Sequence, residues 1–172
     1  PGLERVYEEE DVKVYRVQQQ ATGDPLPRAW MVHSTMIADD DRAIEILNAD
    51  DFDPWRTAIL PPEAGELAIP GGGAPGARAQ IVESAPGRLV LDVSPADDGL
   101  LVVSQPFYRG WRARVDGELA PIHRADFLLQ GIPLRAGSHR VELSYHLSPL
   151  PVIVSLLALL ACLTALIFLR RR

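Results

Sequence analysis

The residues best suited to binding chemistry lie in one short aromatic segment, Phe107-Tyr108-Arg109-Gly110-Trp111, which follows a proline. Aromatic faces with an arginine nearby can bind sugar rings, so Tyr108, Arg109 and Trp111 are candidate glycan contacts. The same residue types also fill the core of a β-sandwich or rest on a lipid interface. Packing in a core or at an interface is the favoured interpretation, and sugar contact is the alternative.

Residues for catalysis or metal binding are scattered along the chain. The four histidines stand singly, at positions His33, His123, His139 and His146. None has the His-x-x-x-His or cysteine spacing of a metal site, and no Gly-x-Ser-x-Gly elbow is present. The acidic run Asp39-Asp40-Asp41 could hold a cation, but helix capping is the preferred interpretation. The sequence therefore predicts no catalytic residue, no metal and no cofactor within this chain.

The charge of the chain excludes one class of partner. The 172 residues hold 17 Lys and Arg against 23 Asp and Glu, a net charge of −6. The last three residues are arginines and no acidic residue follows Glu142, so residues 1–149 are more acidic still. Affinity for nucleic-acid phosphates comes from clustered cations, which this body lacks. We therefore expect no nucleic acid as a partner.

The C-terminal stretch predicts a membrane span. Residues 150–169 form twenty positions without a charge. A helix of this length covers about 30 Å, the thickness of the hydrocarbon core of a bilayer. We therefore expect a single transmembrane helix over residues 150–169, with the lipid bilayer as a partner. The basic residues 170–172 predict a cytoplasmic end, which places residues 1–149 outside the cytoplasm.

The predicted span has two further consequences. An exported domain needs something to start its translocation, so we expect a cleaved signal peptide or earlier transmembrane helices before Pro1. Small residues fall on one face of the helix, and such a face lets other transmembrane helices of a parent protein approach closely. Chance is an equal alternative, because alanine is common in such helices. This helix-packing face consists of Ser155, Ala158, Ala161, Cys162 and Ala165.

The rest of the chain reads as short strands separated by turn signals. Asp116-Gly117 is a strong two-residue hairpin signal. We predict a mainly β fold, an antiparallel, jelly-roll-like β-sandwich. One short helix follows Asp39-Asp40-Asp41 and ends before Asp53-Pro54, and residues 61–77 form a Pro/Gly-rich connector. The predicted strands are 12–17, 29–33, 57–60, 79–83, 89–93, 100–104, 111–115, 118–122, 127–132 and 140–145.

Several stretches together resemble a known family. They are residues 101–104, 108–117 and 134–145, with 26–30 and 52–54 as further landmarks. In this order they are similar to the C-terminal end of the bacterial YfhO-type multi-pass membrane proteins. The resemblance implies a glycosyltransferase of the GT-C type that uses a polyprenyl-phosphate-linked sugar at the outer face of the membrane. The acidic catalytic residue of such enzymes lies in an early loop, so no catalytic residue is carried over to this chain.

Two functions follow as expectations. The first is an accessory domain of an envelope glycosyltransferase, which caps the catalytic bundle and holds a cell-envelope glycan. The second is a non-enzymatic, membrane-tethered β-sandwich that binds carbohydrate or protein. A structural envelope protein without a ligand is a third, weaker alternative. About ten or more apolar spans encoded before Pro1 would favour the first, and a cleaved signal peptide the second.

Overall fold

The computed structural model describes residues 3–9, 12–17, 26–65, 67, 69, 79–146, 155 and 159. Within the described residues up to 146, thirteen strands, one α-helix and one 3₁₀ turn make up the regular structure. The strands are β1 Leu3–Glu9, β2 Val12–Val17, β3 Ala29–Val32, β4 Ser34–Ile37, β5 Thr57–Leu60, β6 Gln80–Ala85, β7 Arg88–Val93, β8 Gly99–Val103, β9 Trp111–Val115, β10 Glu118–Ala120, β11 His123–Ala125, β12 Leu129–Leu134 and β13 His139–Tyr145. The helix α1 is Asp40–Leu47, and the 3₁₀ turn is Pro62–Ala64.

Two antiparallel sheets form the main body. The first has five strands in the order β10-β9-β13-β7-β6, and the second has four in the order β11-β12-β8-β3. Along β13, Val141 and Leu143 are buried while Glu142 between them is partly exposed. These side chains join a cluster that also holds Leu101 and Ile132 of the second sheet. The two sheets therefore pack face to face around one apolar core, as predicted.

The hairpin between β9 and β10 confirms a local prediction. Val115 pairs with Glu118 across a two-residue turn. Asp116 and Gly117 both have positive φ, 52° and 88°. This is the conformation that an Asp-Gly turn favours, because aspartate tolerates and glycine readily adopts the left-handed region.

A further layer covers the other face of the four-stranded sheet. Trp30 and Leu100 belong to a second apolar cluster, together with Ala58 and Leu60 of β5. The Trp30 indole Nε1 donates to the Pro54 carbonyl at 2.9 Å, which satisfies the one polar atom of the buried ring. All five residues of β8 are consequently buried, since both faces of its sheet are covered.

The helix packs on the outside of this layer. Its N-cap is Asp39, whose side chain accepts a hydrogen bond from the Arg42 N–H at 2.9 Å. This confirms the capping interpretation of the acidic run. Ala43 of α1 and Ile59 of β5 share a small apolar cluster, which fixes the helix against the strand.

Some elements differ from the prediction. The predicted strand 118–122 is shorter than expected, because β10 ends at Ala120, and the next strand, β11, belongs to the other sheet. Pro121 lies between them and has no N–H to continue a ladder. β4 pairs with β5 in parallel, although all predicted pairings were antiparallel. In the predicted connector, Leu67 and Ile69 pack against the second apolar cluster, so this part covers the sheet.

The predicted transmembrane helix over residues 150–169 requires a correction. No helix within the described residues is long and apolar enough to cross a membrane. Of this range the structure describes only Ser155 and Leu159, both helical. The other members of the predicted helix-packing face, Ala158, Ala161, Cys162 and Ala165, lie outside the described residues, as do residues 170–172. An apolar composition is necessary for a span, but a span also needs a helix of about twenty residues, which the described residues do not supply.

Candidate functional site

The aromatic segment, residues 107–111, connects the two sheets. It follows β8 of the four-stranded sheet and runs into β9 of the five-stranded sheet. Its backbone is held on both sides. The Phe107 N–H donates to the Leu128 carbonyl at 2.7 Å, and the Gly110 carbonyl accepts from the His146 N–H at 2.8 Å. The segment is therefore a fixed crossing at one end of the sandwich.

Trp111 serves mainly as packing. Its half-buried ring lies against the apolar core between the sheets. The ring centroid is 5.4 Å from that of Tyr145, with an interplanar angle of 58°. Gly110 permits this approach, because a Cβ there would lie 2.5 Å from Tyr145 Cε2. Trp111 thus follows the favoured packing interpretation, and its contact with a glycan stays a prediction.

Tyr108 and Arg109 are placed differently. Tyr108 is 66% exposed, which is unusual for a large aromatic side chain in a packed domain. Arg109 is exposed, as is Arg112 on the following strand. Within the described part of the chain, neither arginine side chain makes a hydrogen bond or an ion pair. As far as the described residues are concerned, both guanidinium groups can therefore reach a ligand.

Three open depressions adjoin the aromatic segment. One of about 270 Å³ lies between Tyr108, Arg109 and the β10 residue Leu119. A second of about 360 Å³ lies on the side of Glu63 and Arg124. A third of about 340 Å³ is lined by Tyr108, Trp111 and Tyr145. The first two share Phe107, Arg109 and Ile122, and the first and third share Tyr108 and Trp111. Neighbouring depressions therefore join into one shallow surface, which we call the aromatic surface.

The charges at one edge of the aromatic surface are already paired. The Arg124 guanidinium lies 2.6 Å from an Asp40 carboxylate oxygen. This hydrogen bond raises the pKa of Arg124 above its ordinary value. Burial lowers the pKa of the neighbouring His123, which favours its neutral form at neutral pH. Among the described residues, the positive charge of the aromatic surface that has no ion-pair partner is therefore that of Arg109 and Arg112.

Two buried polar residues behind the aromatic surface gave no signal in the sequence. Asp126 Oδ1 accepts the Ile59 N–H at 2.8 Å, and burial raises the pKa of this carboxyl group to about 6. Gln130 donates from Nε2 to the Pro106 carbonyl at 3.0 Å. Asp126 belongs to a turn and Gln130 to an otherwise apolar strand, so only the tertiary contacts reveal their roles.

The chemistry offered by the aromatic surface is binding. Aromatic rings pack on the apolar faces of ligands, and guanidinium groups donate several hydrogen bonds in a fixed geometry. Among the described residues, no group of three or more His, Cys, Asp or Glu side chains is arranged to hold a metal ion. The site thus consists of one exposed tyrosine, two arginines without a partner among the described residues, and the packed aromatic rings behind them.

Comparison with known proteins agrees with the resemblance found in the sequence. Residues 78–157 match the family described as bacterial membrane protein YfhO. The chain is also 26% identical over 85 residues to the uncharacterized protein YfhO of Bacillus subtilis (strain 168), which is 49% of this chain and 10% of that relative. The chain therefore spans about a tenth of the length of the relative that it matches. No solved structure matches the chain. The matched range contains β6 to β13 and the aromatic segment.

Proposed function

We propose that the β-sandwich of this chain is an accessory domain for sugar transfer to cell-envelope glycans, and the similarity of residues 78–157 to the bacterial membrane protein family YfhO supports this proposal. In this role the sandwich holds the glycan acceptor, while the catalytic residues lie in other parts of a longer protein. That protein takes its sugar from a polyprenyl-phosphate carrier. The sandwich faces the outside of the cytoplasmic membrane, where the acceptor is found.

The observation that carries the proposal is the aromatic surface. A glycan presents flat apolar ring faces edged with hydroxyl groups, and such a ligand suits an exposed tyrosine beside an arginine. Each depression is small and open, which is a poor fit for one deeply enclosed small molecule. Joined in a row, the depressions suit an extended chain that contacts several places weakly. Tyr108 and Arg109 would make these contacts, with Trp111 holding the segment in place.

The experiment measures retention of the detergent-solubilised full chain on immobilised envelope glycans prepared from the bacterial cell wall. We expect the double variant Tyr108→Ala with Arg109→Ala to lose most of the retention. The matched control is Arg135→Ala, which also removes an exposed arginine, but from the turn between β12 and β13. This control should be retained like the parent chain.

The outcomes separate the candidate functions. Loss of retention in the double variant alone, together with reduced glycosylation of envelope glycans in cells, supports the accessory role. Retention lost without any change in glycosylation would favour a carbohydrate-binding module that takes no part in transfer. Equal retention of the double variant and the control would refute the aromatic surface as a glycan site.

A further inference from the structure

Gln130 lies where an apolar residue would be expected. Its side chain is fully buried, with 0% of its surface exposed. Gln130 lies on the same face of β12 as Ile132 and Leu134, which belong to the core between the two sheets. The amide Nε2 donates to the Pro106 carbonyl at 3.0 Å. The amide Oε1 is buried and has no hydrogen-bond partner among the described residues.

This arrangement is unfavourable for stability taken alone. A buried acceptor without a partner costs more free energy than a single neutral hydrogen bond returns. An apolar side chain of similar shape would avoid that cost and fill the same space. Local departures from good core packing of this kind are expected where a protein needs a particular geometry for function. The presence of a glutamine at position 130 is therefore better explained by the group to which its side chain is hydrogen-bonded.

What Gln130 holds is the start of the aromatic segment. Pro106 has no N–H, so its backbone can be fixed only through its carbonyl, which Gln130 binds. The next residue, Phe107, is bound through its N–H to Leu128, which precedes β12. The two bonds together tie the segment to the four-stranded sheet just before Tyr108 and Arg109.

We infer that Gln130 is a positioning residue, which sets the aromatic segment so that Tyr108 and Arg109 face a ligand together. The inference rests on the proposed glycan-binding function for its consequence, but the positioning itself can be measured without a ligand. Gln130 acts through Pro106 and contacts no ligand.

The test compares the full chain with Gln130→Met and with the control Ile132→Met, in detergent. The control changes the same face of the same strand two residues away. In Gln130→Met we expect the Phe107 and Trp111 amides to exchange with solvent about tenfold faster, which corresponds to about 1.4 kcal/mol. The melting temperature should stay equal or rise, because the unpaired acceptor is gone. In the control, exchange of both amides should match the parent chain.

Each outcome decides the question. Unchanged exchange in a folded Gln130→Met chain would overturn the positioning role. Should Gln130→Met not fold, Gln130→Leu takes its place, and failure of both to fold would make Gln130 a purely structural residue. Faster exchange with loss of retention on the envelope glycans supports both the positioning role and the glycan site. Faster exchange with full retention supports the positioning of the segment but overturns its consequence for glycan binding, while the glycan site itself is rejected only if the Tyr108→Ala with Arg109→Ala variant is also retained.

Discussion

Replacing Asp126 by asparagine should make the protein more stable at neutral pH. Asp126 is only 9% exposed, yet its carboxyl group has no cation paired with it among the described residues. Its Oδ1 accepts the Ile59 N–H, and its own N–H donates to the Ile59 carbonyl at 2.8 Å. The asparagine Oδ1 can accept the same bond. Asparagine also tolerates the φ of 47° found at this position.

The size of the effect follows from the pKa. Burial raises the pKa of Asp126 from 3.8 to about 6, against a smaller lowering by the hydrogen bond from Ile59. Between these values the folded protein holds a proton that the unfolded chain releases, so the free energy of unfolding falls as the pH rises through this window. A difference of roughly two pKa units corresponds to about 3 kcal/mol. Asp126→Asn should therefore be more stable by up to about 3 kcal/mol above pH 7 and nearly equal to the parent chain near pH 4.

The assay is urea unfolding of the full chain from about pH 4 to about pH 8, with the difference between variant and parent plotted against pH. Asp116→Asn is a control of opposite sign. The backbone N–H of Arg140, and then the side chain of His139, lower the pKa of Asp116. The stability that this carboxylate contributes is present above its unfolded pKa and is lost as the pH falls through its folded pKa. Asp116→Asn should therefore have a lower free energy of unfolding than the parent chain at neutral pH, and the two values should become equal in acid. A stability difference for Asp126→Asn that does not change with pH would refute the reasoning.

Three other predictions concern the aromatic segment and its surroundings. Gly110→Ala should lower the free energy of unfolding by about 1–3 kcal/mol in urea, since the added Cβ would clash with the Tyr145 ring. In the double variant with Tyr145→Ala, the loss of free energy should be smaller than the sum of the two single losses, and a loss equal to that sum would contradict the steric cause. Trp111→Ala should lower the free energy of unfolding by about 3 kcal/mol, and it should weaken glycan retention less than Tyr108→Ala does. A Trp111→Ala chain that is as stable as the parent but is not retained would contradict the assignment of Trp111 to packing. In a chain that also carries Cys162→Ser, the new cysteine of Glu118→Cys should react with a membrane-impermeant thiol reagent in intact cells. Labelling only after the cells are lysed would reject the proposed location outside the cytoplasm.

The alternation of apolar residues and the turn signals predicted most of the main body. β7, β8 and β9 each carry an apolar face and are followed by a glycine or proline within three residues, and β13 carries an apolar face and follows the bend at Gly137, so local rules were sufficient. β4 was not predicted, because its four residues, Ser34–Ile37, show no alternation of burial and pair in parallel with β5. That pairing depends on the long connection through α1, which no local pattern encodes.

Residue types alone identified the aromatic segment, but they did not show which of its aromatic rings is packed and which is exposed. Nothing in the sequence separates Trp111, which packs on Tyr145, from Tyr108, which is exposed. The difference arises from Gly110, whose missing side chain makes room for the tyrosine ring. Gln130 and Asp126 were missed for a related reason, since their partners lie 24 and 67 residues away along the chain.

The position of β13 has a mechanical consequence. It is the central strand of the five-stranded sheet, with backbone ladders to β7 on one side and β9 on the other. Just beyond or at its end, Tyr145 and His146 are tied to the Gly87 and Gly110 carbonyls. A pull directed along β13 would load both ladders in shear, so that many backbone hydrogen bonds would have to break together. Under such a pull the load is shared by the strands on both sides, which makes β13 a strong point of attachment.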